Sequence, residues 1–276
     1  MCHVPAPQAQ QPPTAAVLPT LASAVAQTEL FPRKVLRLDP PQKRTADALG
    51  EAEADDNHRY VVKGDAHNRR VRASEWLCSR VAEAVGIGVP QVALLEMPDQ
   101  SIVFGSRRLA GVAGEIHTQA YLLTSNYPQM AVPVVPVAYT LSAIYVFDMM
   151  IHNDDRHLGN YLAVAESGTY RLFAYDFSRA LFWAWPWNGF PAAGTNTINV
   201  GRLLRSKHPF DMAAAEAVLD RLGALPPSTV ERFVREMPGD WLPDPAQTEF
   251  IAWWSGPDRN ARVATLRKGL KDGSLL

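Results

Sequence analysis

The chain has 276 residues, 47% hydrophobic and 20% charged, a composition that gives a substantial core and suits an enzyme domain without demanding one. A net charge of −1 and a pI near 6.7 leave no basic footprint for nucleic acid. Two cysteines argue against a disulfide framework and for a reducing cytoplasm, and the lack of a long apolar span argues against a membrane helix.

Residues 1–29 are rich in Ala, Pro, Gln and Thr and read as a flexible tail. With no Lys or Arg before residue 28 and no continuous apolar core, the tail does not read as a signal peptide. Strands are expected near Val35–Leu38, Tyr60–Lys63, Gln91–Glu96 and Ser101–Arg107, so residues 30–109 form a small, mostly antiparallel β lobe. A helix is inserted from Ala73 to about Val85. Its stripe of Val71, Glu75, Cys78, Ala82 and Val85 carries one charge, Glu75. A carboxylate on an apolar stripe is costly to bury without a cation, and Lys63 on the preceding strand is the candidate partner. The alternative is that Glu75 answers the helix dipole near its N-terminus.

Residues 110–276 read as a larger, mainly helical lobe. The apolar run Thr140–Ile151 carries Leu141, Ile144, Tyr145 and Met149 at helical spacing. It predicts a buried helix that delivers His152-Asn153-Asp154-Asp155 as a loop, since Asn-Asp-Asp is turn chemistry. Tyr161–Val164 and Tyr170–Tyr175 then read as a hairpin turning at Glu166-Ser167-Gly168. Leu181–Phe190 holds Trp183, Trp185 and Trp187, which either cap the core or dock a substrate or partner protein. Asp211–Leu222, Pro227–Glu236, Ala246–Trp254 and Asn260–Lys271 read as amphipathic helices.

The chemistry lies in Asp155-Arg156-His157-Leu158-Gly159-Asn160 followed by Asp176-Phe177-Ser178. An Asp five residues before an Asn, then a second Asp after a hairpin, is an arrangement kinases use. Asp155 takes or orients the proton of the acceptor hydroxyl. Asn160 and Asp176 meet at the open end of the hairpin and offer oxygen ligands to Mg2+. Asp154 competes for the base role, because His152-Asn153-Asp154 starts the H-x-D pattern of small-molecule kinases. The matching Asn would then fall at Gly159, so the spacing favours Asp155. His157 packs within the loop, and His152, His157 and His208 lack metal-ligand spacing.

Taken together, these residues resemble the HipA-like kinase family, a branch of the protein-kinase-like and phosphatidylinositol-kinase-like fold. The resemblance rests on Tyr60-Val61-Val62-Lys63, Glu75-Trp76, Val85-Gly86-Ile87-Gly88-Val89-Pro90 and Phe104-Gly105-Ser106, then on Asn153 to Asn160 and Tyr175-Asp176-Phe177-Ser178. It implies an α+β, two-lobed protein-kinase-like fold and ATP- and magnesium-dependent phosphorylation of protein serine or threonine. Catalysis would fall to Asp155, Lys63 and Glu75, with Lys63 also on the nucleotide. The Leu109-Ala110-Gly111 backbone would meet adenine. Founding members are toxins neutralised by a DNA-binding antitoxin, but the chain resembles shorter, stand-alone members, so such a partner does not follow. Two departures mark it. Its phosphate loop is glycine-poor, leaving Lys43, Arg44 and Thr45 as the phosphate contacts, and Asp-Phe-Ser replaces Asp-Phe-Gly. Two other readings stay open. One is a small-molecule or lipid-headgroup kinase, with Arg202, Arg205 and Lys207 near the acceptor. The other is a catalytically silent kinase-fold protein that binds partners.

Overall fold

The computed structural model describes residues 31–41, 47–65, 69–124, 132–133, 136–166 and 169–276, so the expected tail lies outside it. The content is mixed helix and strand. Strands β1 (Arg33–Asp39), β2 (Ala48–Ala54), β3 (Arg59–Lys63), β4 (Val92–Glu96) and β5 (Ile102–Arg107) form a barrel ordered β1-β2-β3-β5-β4. Four pairings are antiparallel. A parallel pairing of β1 with β4 closes the ring of what the sequence suggested as a small, mostly antiparallel lobe.

The interior holds Val35, Ala52, Ala54, Tyr60, Val62, Leu95 and Val103. β2 was not expected, because Ala-Leu-Gly-Glu-Ala-Glu-Ala has weak strand preference. Pairing with β1 on one side and β3 on the other imposes the strand. Gly50 belongs to β2 rather than to a phosphate loop, and a Cβ there would collide with the Asp39 carbonyl oxygen. Side chains alternate along β3, so Tyr60 and Val62 fill the barrel and Lys63 turns to the other face.

α1 (Val71–Ala84) joins β3 to β4 and packs with the larger core, not with the barrel interior. Its Trp76 donates Nε1–H to the Phe233 carbonyl and meets Trp241 edge-on. Next come α2 (Glu115–Leu123), β6 (Val132–Pro133), α3 (Val137–Met150) and the hairpin β7 (Tyr161–Glu166) and β8 (Thr169–Ala174). The hairpin's Ser167 and Gly168 lie outside the described residues. β6 adds to β8 in parallel. The chain ends in α4 (Asn196–Arg205), α5 (Met212–Ala224), α6 (Pro227–Arg235), α7 (Ala246–Ser255) and α8 (Pro257–Lys271). The last four match the expected helices, while α2 and α4 carried no sequence signal strong enough to name them. α3 buries every residue from Leu141 to Met150 rather than one stripe. It is the central helix, with α5, α8 and the hairpin packed around it. Among the described residues no helix is long and apolar enough to cross a membrane.

The barrel is too tightly filled to take another methyl. A Cβ on Gly105 would sit 2.5 Å from Leu95 Cδ1 and 2.8 Å from its Cγ, and Leu95 is fully buried. Gly105→Ala is expected to lower stability by about 1–3 kcal/mol, the usual scale for overpacking. Urea denaturation checks this, and a neutral result would mean that the barrel has slack.

Candidate active site

The Lys63 ammonium lies between two carboxylates. Nζ is 2.5 Å from Glu75 Oε1 and 2.7 Å from Asp176 Oδ1. Lys63 and Glu75 are buried, while the Asp176 side chain keeps 23% exposure. The pairing inferred from the lone charge on the apolar stripe of α1 is therefore present, and it extends to the aspartate that follows the hairpin. Glu75 Oε1 also accepts the Phe177 N–H at 3.0 Å, so α1 holds the Asp-Phe-Ser turn directly. Burial by itself would lower the Lys63 pKa, but Asp176 and Glu75 hold it above its ordinary value. Burial works to raise Asp176, yet Lys63 and the Ser178 hydroxyl keep its carboxyl well below the usual range. Glu75 is pushed up by burial, with the Asp176 charge adding to the shift. The triad thus holds Asp176 firmly ionised.

Asp176 has φ +62°, a left-handed conformation that Asp tolerates better than most residues. Ser178 Oγ donates to Asp176 Oδ1 at 2.7 Å, so the serine that replaces glycine pins the carboxylate. Phe177 is buried edge-on to Phe147.

Arg156 organises the loop. Its guanidinium makes a two-pronged contact with Asp148 of α3, Nε to Oδ2 at 2.9 Å and Nη2 to Oδ1 at 3.0 Å. Nη1 donates to the Asn160 carbonyl at 2.9 Å and to the Tyr175 carbonyl. Tyr161 pairs with Ala174, so Asn160 and Tyr175 are the residues just beyond the ladder, one on each side. Arg156 therefore clamps the open end of the hairpin from which Asn160 and Asp176 project. Burial alone would lower the Arg156 pKa, and Asp148 reverses that. Sequence reasoning missed Asp148. The signal was available: it is the only charge on an apolar helix, the same argument that singled out Glu75.

Asp155 is held on three sides by asparagines. Asn153 Oδ1 accepts its N–H at 3.1 Å, Asn160 Nδ2 donates to its carbonyl at 2.9 Å, and Asn196 Nδ2 donates to Oδ1 at 2.6 Å. Asp154 instead lies 3.7 Å from His152 Nε2, and burial raises its carboxyl pKa. His152 is held below its ordinary value by burial and stacks on Trp187.

Lys43 and Thr45 lie outside the described residues. Leu109 is half-buried just past β5. The segment after it runs along β7, with the Ala165 N–H bonded to the Gly111 carbonyl and the Ala113 N–H to the Ala163 carbonyl. Gly111 is needed there, at φ +70° and with a Cβ position only 2.7 Å from the Ala165 oxygen. Trp183, Trp185 and Trp187 are half-buried. Trp185 and Trp187 pack on each other and on Trp253, while Trp183 lies under the Arg179 guanidinium at 3.7 Å. Arg202 and Arg205 lie about 9 and 14 Å along α4 from Asn196, the residue that meets Asp155, and Lys207 follows the helix.

The site would suit a magnesium–nucleotide pair. Asn160 commits its amide nitrogen to Asp155, which leaves its oxygen as the end to offer a cation. Asp176 is ionised and partly open. Among the described residues no three His, Cys, Asp or Glu side chains gather into a metal cluster, so a cation would need phosphate oxygens as well, as Mg2+ usually does.

A model of the HipA-like kinase family matches residues 51–252. No curated protein matches the chain. Among solved structures, it is similar in fold to the Helicobacter pylori proinflammatory kinase CtkA. The TM-score is 0.54 at 12% identity, over 86% of this chain and 96% of that one. A chain of the HipA, HipB and operator DNA toxin–antitoxin complex from Shewanella oneidensis MR-1 gives a TM-score of 0.45 at 11% identity, over 76% of this chain and 60% of that one. An N-terminal fragment of LepB from Legionella pneumophila gives 0.43 at 12% identity, over 82% and 45%.

Because Arg156 and Asp148 are both buried, loss of one strands the other. Asp148→Asn is expected to cost about 3–5 kcal/mol, the range for breaking a buried pair from one side. Thermal or urea unfolding measures it. A loss below about 1 kcal/mol would show that the pair is not what clamps the hairpin.

Proposed function

The chain belongs to the HipA-like kinase family, and on that premise we propose that it is an ATP- and magnesium-dependent phosphotransferase acting on a protein serine or threonine hydroxyl. The proposal includes a two-lobed kinase plan, with the nucleotide between the barrel and the α3–hairpin region. The observation that carries it is the Lys63 ammonium shared by Glu75 and Asp176 at the mouth of a hairpin whose other arm begins at Asn160. A buried strand lysine oriented by a helix glutamate is how kinases hold nucleotide phosphates.

In this reading Lys63 binds phosphate oxygens and Glu75 fixes its direction. Asp176 and Asn160 would hold Mg2+, whose charge would offset that of the phosphates. Asp155 accepts the proton of the acceptor hydroxyl as that oxygen attacks the γ-phosphorus and the bond from phosphorus to the bridging oxygen breaks, releasing ADP. Lys43 and Thr45 remain the proposed phosphate contacts, and the Leu109 backbone the proposed adenine contact. Little covalent work falls to the protein; placement and charge do most of it. A second reading has one observation in its favour. Asp154 has a raised carboxyl beside His152, the local pattern of small-molecule kinases.

Two outcomes are expected. ATP with Mg2+ at about 100 times its dissociation constant should stabilise the protein by roughly 2.7 kcal/mol, seen as a thermal shift that Asp176→Asn largely loses. A folded protein with no shift would remove the nucleotide-binding reading. Asp155→Asn should leave nucleotide binding intact and lower turnover about 10²- to 10⁴-fold, the scale of general-base loss, with Asp154→Asn much milder. Labelled phosphate transfer measures both, and the reverse ranking would move the base to Asp154 and the acceptor toward a small molecule.

A further inference from the structure

We propose that Asn196 is a positioning residue for phosphoryl transfer, fixing the plane of the Asp155 carboxylate from the first turn of α4. The inference rests on the reading of Asp155 as the base.

Asn196 is 41 residues from Asp155 in sequence, yet its Nδ2 lies 2.6 Å from Asp155 Oδ1. The next residue, Thr197, is buried and serves the backbone of the same loop. Its Oγ1 accepts the Arg156 N–H at 3.0 Å and donates to the Asn153 carbonyl, while its own N–H meets the Asp154 carbonyl at 3.4 Å. Two successive residues of α4 therefore engage all of residues 153–156. Thr197 sets the path of the chain, and Asn196 sets the side chain. The second torsion of Asp is broad and two-fold, so a carboxylate held only by its backbone has no fixed plane. With Oδ1 tied to Asn196, the plane is set and Oδ2 is the oxygen left for an acceptor hydroxyl. An amide suits this role because it donates to the carboxylate without bringing a positive charge that would compete for it. Asn196 is exposed and Asp155 half-buried, so the pair is reachable from solvent.

The test uses the full chain with labelled ATP, counting transfer into dephosphorylated casein together with phosphate released to water. Asn196→Ala should lower kcat about ten- to a hundredfold, the size of one hydrogen bond to a charged group, and Asn196→Asp, near-isosteric but with a repelling charge in place of the N–H donors, should lower it at least as much. KM for ATP and the melting temperature should stay at the parent values. Asn196→Gln, which restores a donor, should recover much of the rate. Thr197→Ala should instead lower the melting temperature. Parent-like kcat in Asn196→Ala or Asn196→Asp overturns the proposal, and so does faster turnover or a rate loss that tracks the melting temperature. Asp155→Asn run alongside separates the two failures. If it loses turnover while Asn196→Ala keeps the parent rate, only the positioning role falls. If it retains parent activity, or if the parent turns over by neither route, the base assignment falls and takes this role with it.

Discussion

One buried ammonium fixes the relation between the three parts that make the site. Lys63 comes from the barrel, Glu75 from α1 and Asp176 from the turn after the hairpin. Taking charges out of water costs several kcal/mol for each ion, so such an arrangement persists only when the geometry is good and the remaining hydrogen bonds are met. They are met here: Glu75 also takes the Phe177 N–H, and Asp176 also takes the Ser178 hydroxyl. The result has two negative groups and one positive, and Asp176 is the member that faces outward. A triad with surplus negative charge at its open edge suits a cation.

A second buried ion pair does the equivalent work beneath the loop. Asp148 on the central helix holds Arg156, and Arg156 holds the carbonyls at both arms of the hairpin. The weight of this pair lies in geometry rather than in net stability, since a buried pair gains little over apolar packing. It converts the fixed position of α3 into a fixed separation between Asn160 and Tyr175, the residue before Asp176. α4 completes the frame, through Thr197 on the loop backbone and Asn196 on Asp155. The loop is thus set by helices that enter the chain before it and after it.

Much of this was legible in the residues. Glu75 was found because an isolated charge on an apolar stripe demands a partner, and Lys63 was the nearest strand cation. The hairpin followed from two strand-forming runs around a Gly-containing turn, and four C-terminal helices from amphipathic periodicity. Asp148 yields to the same argument as Glu75, so its omission was one of application. β2 was hidden for a physical reason. Ala and Glu have little intrinsic strand preference, and only its neighbours on both sides make Ala48–Ala54 extended.

The sequence by itself singled out the candidate groups: an aspartate, an asparagine and a second aspartate at fixed spacing, with a lysine and a glutamate upstream. Those are properties of local order, and local order is what a sequence states directly. The tertiary structure alone decided that Lys63 reaches Asp176 as well as Glu75, that the strands close through a parallel pair, and that Asn196 and Thr197 meet the loop. Each of these joins residues tens to more than a hundred positions apart. Their meeting depends on how whole elements pack, and no spacing or periodicity along the chain encodes it.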